Sequence, residues 1–272
     1  MDLDILYSKK PLKYEDGIPI FSHMSKYVEN YERISADHIN EMNSSGANPF
    51  IDERLWNQIE DSTINLLLKH TSGGKILDVG VGLGRLLSKI DGINNNFEKY
   101  GFDISLNYLR IAKSKGISVC LSLIEDIPYQ ENSFDAIVCT DVLEHVLDYN
   151  LCVNNILKVL KDDGILLIRV PYRENLEPYL QYKKYEFVHL RNFDENLLSL
   201  QMEKIFNTKV IEYTTAGTHV GIERFKYPFL KIPFLMKTIR FLYTRKYFKR
   251  IIENLFYKVD INILVKKLQK LD

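Results

Sequence analysis

The segment ILDVGVGLG (76–84) sets an acid, Asp78, ahead of three glycines at 80, 82 and 84. Glycines at this spacing let the backbone turn tightly and lie against a ligand with no Cβ in the way. Gly84 also lets the next helix begin close to a sheet. A second acid, Asp103, ends YGFD (100–103), where it can accept both hydroxyls of a ribose. A dinucleotide site prefers G-x-G-x-x-G, with a pyrophosphate on the helix N-terminus. Here the spacing is G-x-G-x-G, and an acid before the first glycine suits a ligand with an ammonium group better than one with phosphates. The plainer alternative is an ordinary strand-to-helix turn of a flavodoxin-like protein. Two histidines stand further on, His145 in DVLEHV and His189 in YEFVHLRNF. Histidine titrates near neutrality and is the natural group for taking a proton from a nucleophile.

These residues need a scaffold, and residues 73–222 supply its pattern. KILDVG (75–80), KYGFDI (99–104), ISVCLSL (117–123), FDAIVCT (134–140) and ILLIRVP (165–171) read as short buried strands. Helical patterns separate them: RLLSKI after the glycine turn, LNYLRIAKSKG closed by Gly116, and LCVNNILKVLKDDG (151–164). FDENLLSLQMEKIF (193–206) reads as a helix, then TKVIEYT (208–214) and THVGIERF (218–225) as two closing strands. Strands alternating with helices imply a parallel sheet covered on both faces, with ligands at the carboxyl ends of the strands. Helix-like stretches at 23–43 and 52–70 precede it. The expected organisation is an N-terminal helical lid over 1–71, a ligand-binding α/β domain over 72–225 and a basic, aromatic helical tail over 226–272.

Composition excludes several classes. The 272 residues are 46% hydrophobic and 12% aromatic, enough to bury a substantial core. Three cysteines without CxxC spacing support neither a disulfide framework nor a cysteine-based zinc module. No secretory signal and no long apolar run is present, so the expected location is cytoplasmic, with peripheral contact to the inner membrane face as an alternative. The 36 basic and 36 acidic residues cancel only formally. From Arg224 to Asp272 there are 13 Lys/Arg and 3 Asp/Glu, which leaves a body near −10 and a tail near +10.

ILDVGVGLGRLL, YGFDIS, EDIPYQENSFDAIVCTDVLEHV and LKDDGILLIRVPY resemble the successive motifs of class I S-adenosylmethionine-dependent methyltransferases, in a type-11-like branch. The resemblance covers about residues 74–215. It implies a Rossmann-like methyltransferase fold with a seven-stranded, mostly parallel sheet and one antiparallel strand. It implies S-adenosylmethionine as cofactor, with Asp78, Gly80 and Gly82 at the methionine moiety, Asp103 at the ribose, and Gly84, Ile104 and Thr140 completing the cradle. The family often places an acid where this chain has Leu123, so adenine contact falls to the backbone at Leu123 and Ile124, with Glu125 or Asp126 as side-chain substitutes. Glu125 and Asp126 starting a solvated turn is the alternative.

Methyl transfer from a sulfonium is an in-line displacement, so the protein positions the acceptor and, for a hydroxyl, removes its proton. His145, just after the fourth strand, is the first candidate base; packing or capping a helix there is the alternative. Asp141, Glu144 and His145 resemble the divalent-ion site of ubiquinone-pathway O-methyltransferases, but surface charge without metal is the reading adopted. His189 and Arg191 are candidates for an anionic or sugar acceptor, beside a tyrosine-rich loop. His189 capping the following helix is again the plainer option. YEDGIPIF (14–21) is similar to the end of a zinc-ribbon module whose cysteines are absent here. YVENYERISADHI (27–39) resembles a cofactor lid helix, from which Tyr27 or Tyr31 can reach the sulfonium, simple packing of the lid being the preferred role. The expected acceptor is a small molecule or glycan precursor methylated at oxygen. A quinone or lipid-like acceptor and a non-catalytic nucleoside-binding scaffold are the alternatives.

The tail KIPFLMKTIRFLYTRKYFKRIIENLFYK (231–258) reads as one helix from Pro233, with Phe234, Phe241, Phe248 and Leu255 at seven-residue spacing. A basic amphipathic helix suits an anionic membrane surface, a negatively charged acceptor, or packing on the body or in a homodimer. The acidic body argues against nucleic acid.

Overall fold

In a computed structural model of the chain, the described residues are 6–185, 188–220, 224–226 and 233–269. A short hairpin, β1 (Lys13–Glu15) and β2 (Ile18–Ile20), precedes two long helices, α1 (Lys26–Ser45) and α2 (Glu53–His70). Asp16 and Gly17 both take positive φ, which gives the two-residue turn that right-twisted strands favour. Then come β3 (Gly74–Val79), α3 (Arg85–Ile93), β4 (Phe97–Asp103), α4 (Leu106–Ser114), β5 (Ser118–Leu121), β6 (Phe134–Thr140), α5 (Tyr149–Val159) and β7 (Leu160–Pro171). The chain continues through α6 (Glu195–Lys204), β8 (Thr208–Ala216), α7 (Pro233–Tyr243), α8 (Lys246–Glu253) and β9 (Asp260–Lys267).

Among the described residues the nine strands form one sheet in the order β1-β2-β5-β4-β3-β6-β7-β9-β8. The strands β5, β4, β3, β6 and β7 pair in parallel, and β9 runs antiparallel to both β7 and β8. This is the expected seven-stranded arrangement with one reversed strand, widened by the N-terminal hairpin, whose Ile20 pairs with Leu121 of β5. Strand alternation sends Ile76, Ala136, Val138 and Leu264 to one face, packed with α2, α3 and α4. Leu77, Val79, Ile137, Cys139 and Ile263 go to the other, packed with α5 and α6. The switch point lies between β4 and β6 on either side of β3, so loops at the carboxyl ends there frame a crevice.

Several expectations need correction. The N-terminal region is not only helical, because residues 13–20 lengthen the sheet. The helix expected over 151–164 stops at Val159, since Leu160 is already extended and pairs with Phe134. The segment 218–225 is not a closing strand. Thr218–Val220 are irregular, 221–223 lie outside the described residues, and Phe225 makes a single bridge to Phe256. The missing strand is DINILVKK (260–267), buried along most of its length between β7 and β8. The α/β unit therefore runs to Lys267, and the basic region is an insertion between β8 and β9 rather than a terminal tail. Nor is that region one helix: it breaks at Thr244–Arg245, where the Thr244 hydroxyl donates to the Phe241 carbonyl and Arg245 turns extended. Its core is Met236, Ile239, Ile252 and Phe256, whereas Phe241 and Phe248 of the seven-residue stripe are exposed. Among the described residues, no helix is long and apolar enough to cross a membrane.

Candidate active site

The carboxyl ends of β3, β4, β6 and β7 open onto a cavity of about 660 Å³. Its floor is the glycine turn. Gly80 and Gly82 take φ of +71° and +50°, the left-handed region that only glycine enters at little cost. A Cβ on Gly80 would strike Val142, whereas one on Gly82 would meet nothing closer than the Gly80 carbonyl at 4.0 Å. A side chain at 82 would instead occupy space in the cavity that Gly82 lines. Gly84 has the close-packing role expected of it and not the cradle role. It begins α3 at φ +68°, and a Cβ would lie 2.6 Å from Ile117 and 3.1 Å from Ala112. It serves close packing of helix on sheet and does not line the cavity.

Asp103 is fixed by the backbone: one oxygen accepts from the Gly82 amide and the other from the Ser105 amide, each at 2.9 Å. Burial raises its pKa to about 6 against the pull of those amides. Asp78 is 2% exposed, and its Oδ1 has no hydrogen-bond partner among the described residues. Burial raises it to about 8, with Arg169 opposing the shift. A buried, unpaired acid facing a cavity is a costly arrangement that a ligand cation would relieve. Leu123 and the 3-10 turn residues Ile124 and Glu125 line the far wall, and the Glu125 Oε2 is also buried without a partner among the described residues. Asp126 instead pairs with Lys9 and is not in the wall, and the Leu123 amide is taken by the Ser22 hydroxyl at 2.9 Å. Ile104 and Thr140 line the cavity as expected.

The roof is α1, and it is pinned. Glu32 accepts from the Leu106 amide at 2.6 Å, from the Ser105 hydroxyl and from Asn107, all at the N-terminus of α4, where a carboxylate meets the favourable end of the helix dipole. This holds Tyr27 and Tyr31 over the cavity with ring centroids 5.0 Å apart, and Tyr31 sits edge-on to His145 at 5.8 Å. Burial keeps the Tyr31 hydroxyl protonated. α2 is held by buried Glu60, which pairs with Arg85 at 2.8 Å and Lys89 at 2.7 Å, while Arg85 stacks on Trp56.

The remaining wall carries both histidines, with ring centroids 4.5 Å apart. His145 lies in a turn rather than a helix. Burial, then neighbouring His189, lowers its pKa to about 3. His189 Nδ1 meets the Glu174 carboxylate at 2.5 Å and the Tyr179 hydroxyl at 3.3 Å. Arg191 turns away and donates to the Val146 and Leu147 carbonyls, which joins this loop to the His145 turn without facing an acceptor. His189 does not cap α6, whose first turn is bonded by Asp194.

The trio Asp141, Glu144 and His145 does not converge. Asp141 takes φ +57° and pairs with Arg169, which also bonds Thr63. The groups that do converge are Glu144, His145 and His189, with ligating atoms within 4.8 Å of one another. Burial, then Asp141, pushes Glu144 well above the ordinary carboxylate range. Sequence reasoning missed Glu174, Arg169, Arg224 and Asp260, all of which line the cavity. Arg169 had a signal, a lone charge inside the apolar run ILLIRVP.

A Rossmann-like sheet with an acid and two glycines at its switch point defines a nucleoside-cofactor fold. Residues 70–224 match the family model of a methyltransferase domain, more than half the chain, and the chain belongs to that family. It is 33% identical over 130 residues to an uncharacterised protein of Methanocaldococcus jannaschii, covering 47% of this chain and 53% of that one. It is 30% identical over 125 residues to a ubiquinone biosynthesis O-methyltransferase of Glaesserella parasuis, covering 42% and 52%. The chain thus spans about half the length of these relatives. In fold it is similar to a Haloferax volcanii chain from a complex of the Trm112 methyltransferase activator with a methyltransferase, with TM-score 0.63, 12% identity, and 90% and 99% of the two chains covered.

Proposed function

We propose that the protein is an S-adenosylmethionine-dependent methyltransferase that methylates a hydroxyl of a small-molecule or sugar acceptor. The observation that carries this reading is one cavity holding both the acid–glycine cradle and the His189–Glu174 pair. The cradle fits the cofactor. The orphan Oδ1 of Asp78 meets an ammonium, Gly82 leaves room for the methionine end, backbone-fixed Asp103 accepts from ribose hydroxyls, and the orphan Oε2 of Glu125 accepts from an adenine amino group. When bound, S-adenosylmethionine supplies the methyl group and the positive charge that makes it transferable.

His189 serves as the base and replaces His145 as first candidate. Glu174 on Nδ1 fixes the tautomer in which Nε2 is free to accept a proton. His189 Nε2 would take the proton of an acceptor hydroxyl as the methyl passes from the sulfonium to that oxygen, the S–CH3 bond breaking and S-adenosylhomocysteine leaving, and Glu174 would stabilise the imidazolium. His145, whose pKa of about 3 makes it a weak base, is a neutral wall against His189 and Tyr31. Tyr27, Tyr179 and Tyr182 offer ring faces for an apolar or sugar surface. A second reading, metal-assisted deprotonation, is favoured by the convergence of Glu144, His145 and His189.

The test is release of S-adenosylhomocysteine with panels of hydroxylated and amine acceptors, with and without chelator. Turnover on hydroxyl acceptors that survives chelation and collapses in Glu174→Gln supports the His189 base. Turnover abolished by chelator and restored by a divalent ion supports the second reading. Turnover confined to amines overturns O-methylation.

A further inference from the structure

We propose that the helical hairpin of α7 and α8 docks the protein on an anionic bilayer surface. The inference goes beyond methyl transfer and stands or falls apart from it. The hairpin is an insertion between β8 and β9, rooted where the Lys226 amide donates to Leu255 and the Tyr257 amide to Arg224. Arg224 and Asp260, at its two roots, line the cavity. The hairpin therefore springs from the same carboxyl edge of the sheet as the candidate active site.

Its inner face needs nothing further, since Met236, Ile239, Ile252 and Phe256 form a small core of their own. Its outer face is the anomaly. Tyr247 is 91% exposed, Ile251 62%, Phe241 60% and Phe248 45%. Tyr247 and Ile251 lie four apart on α8, on one side of the helix. Cations interleave with them: Lys237, Arg245 and Lys249 are nearby in sequence, with Arg245 over the Phe241 ring. Residues 233–253 hold six bases and one acid, Glu253, itself near Lys249 at 4.0 Å.

Exposed rings and aliphatic groups among bases are the chemistry of an interfacial helix, whose apolar side chains enter the headgroup–acyl boundary while its cations meet anionic lipid. At 11 and 8 residues the helices are far too short to span a bilayer, so they lie on it. A nucleic-acid track has no use for Ile251, which cannot stack a base. The centre of a protein–protein interface is depleted in Lys, unlike this face.

The experiment is co-sedimentation of the full chain with phosphatidylglycerol–phosphatidylcholine vesicles and with phosphatidylcholine vesicles alone. S-adenosylmethionine binding by the same preparations shows that each variant is folded and keeps failure of docking distinct from failure of the cofactor reading. The expected result is salt-sensitive binding to the anionic vesicles. Removing two cations in Lys237→Gln/Lys249→Gln weakens it about 25-fold, at about fivefold per base. Tyr247→Ser/Ile251→Ser weakens it about tenfold or more with charge unchanged. Equal binding to both vesicle types, or full binding by Tyr247→Ser/Ile251→Ser, overturns the proposal. So does displacement of the vesicles by RNA, or a dimer that the same two substitutions dissolve while vesicles go unbound.

Discussion

Replacing Asp78 by asparagine keeps the outline of the side chain and removes its charge. A carboxylate and an ammonium about 4 Å apart attract by ~4 kcal/mol at the effective dielectric of protein sites. Burial holds Asp78 near pKa 8, so ionising it at about pH 7 costs roughly 1.4 kcal/mol. The difference, ~2.6 kcal/mol, makes S-adenosylmethionine bind the variant about eightyfold more weakly than the parent. Stability moves the other way. The folded pKa stands above the unfolded value of 3.8, so the native state keeps a proton that the unfolded chain releases. The contribution of Asp78 to stability is therefore fullest below about pH 4 and declines as pH rises toward about 8. Asparagine escapes that decline, so at about pH 7 the variant gains up to ~4 kcal/mol, less the cost of burying an amide. Calorimetric titration with the cofactor, with thermal unfolding at about pH 5 and about pH 8, reads both effects. A weaker ligand, a higher Tm and a Tm gain that widens with pH are expected. Unchanged affinity, or a Tm below the parent at high pH, would falsify the reasoning.

Three further outcomes follow from the cavity. His189→Ala and Glu174→Gln should each lower kcat by about a hundredfold to a thousandfold while cofactor affinity stays put, as single-turnover rates and titration would show. His145→Ala should leave the near-neutral limb of the pH–rate profile in place, because a group with pKa about 3 does not set it; loss of that limb would return His145 to the role of base. Gly84→Ala should cost about 1–3 kcal/mol of stability through its positive φ and its approach to Ile117, with unchanged cofactor affinity in the folded fraction.

The strands that build the cavity floor were legible because each is a short apolar run ended by a chemically odd residue, Asp78 or Asp103. β9 was hidden for a physical reason. DINILVKK is an apolar strand, but its basic, aromatic neighbours give the whole region the look of a tail, and its pairing partner β7 lies some 90 residues upstream. Cofactor-side residues were readable because one turn brings them together. The acceptor side was only half readable. His189 stood out by type, but Glu174, 15 residues before it, becomes its partner through a loop path that no periodicity encodes. Asp141 shows the limit of spacing arguments, since its left-handed backbone turns it to Arg169 instead of joining Glu144 and His145.

The central claim is that the acid–glycine cradle binds S-adenosylmethionine, and calorimetric titration of the full chain tests it most directly. The account expects one cofactor, or its demethylated product, per chain, with binding lost in Asp103→Ala and Gly82→Asp and kept in His145→Ala. No heat with either ligand, or binding undiminished in Asp103→Ala and Gly82→Asp, contradicts it.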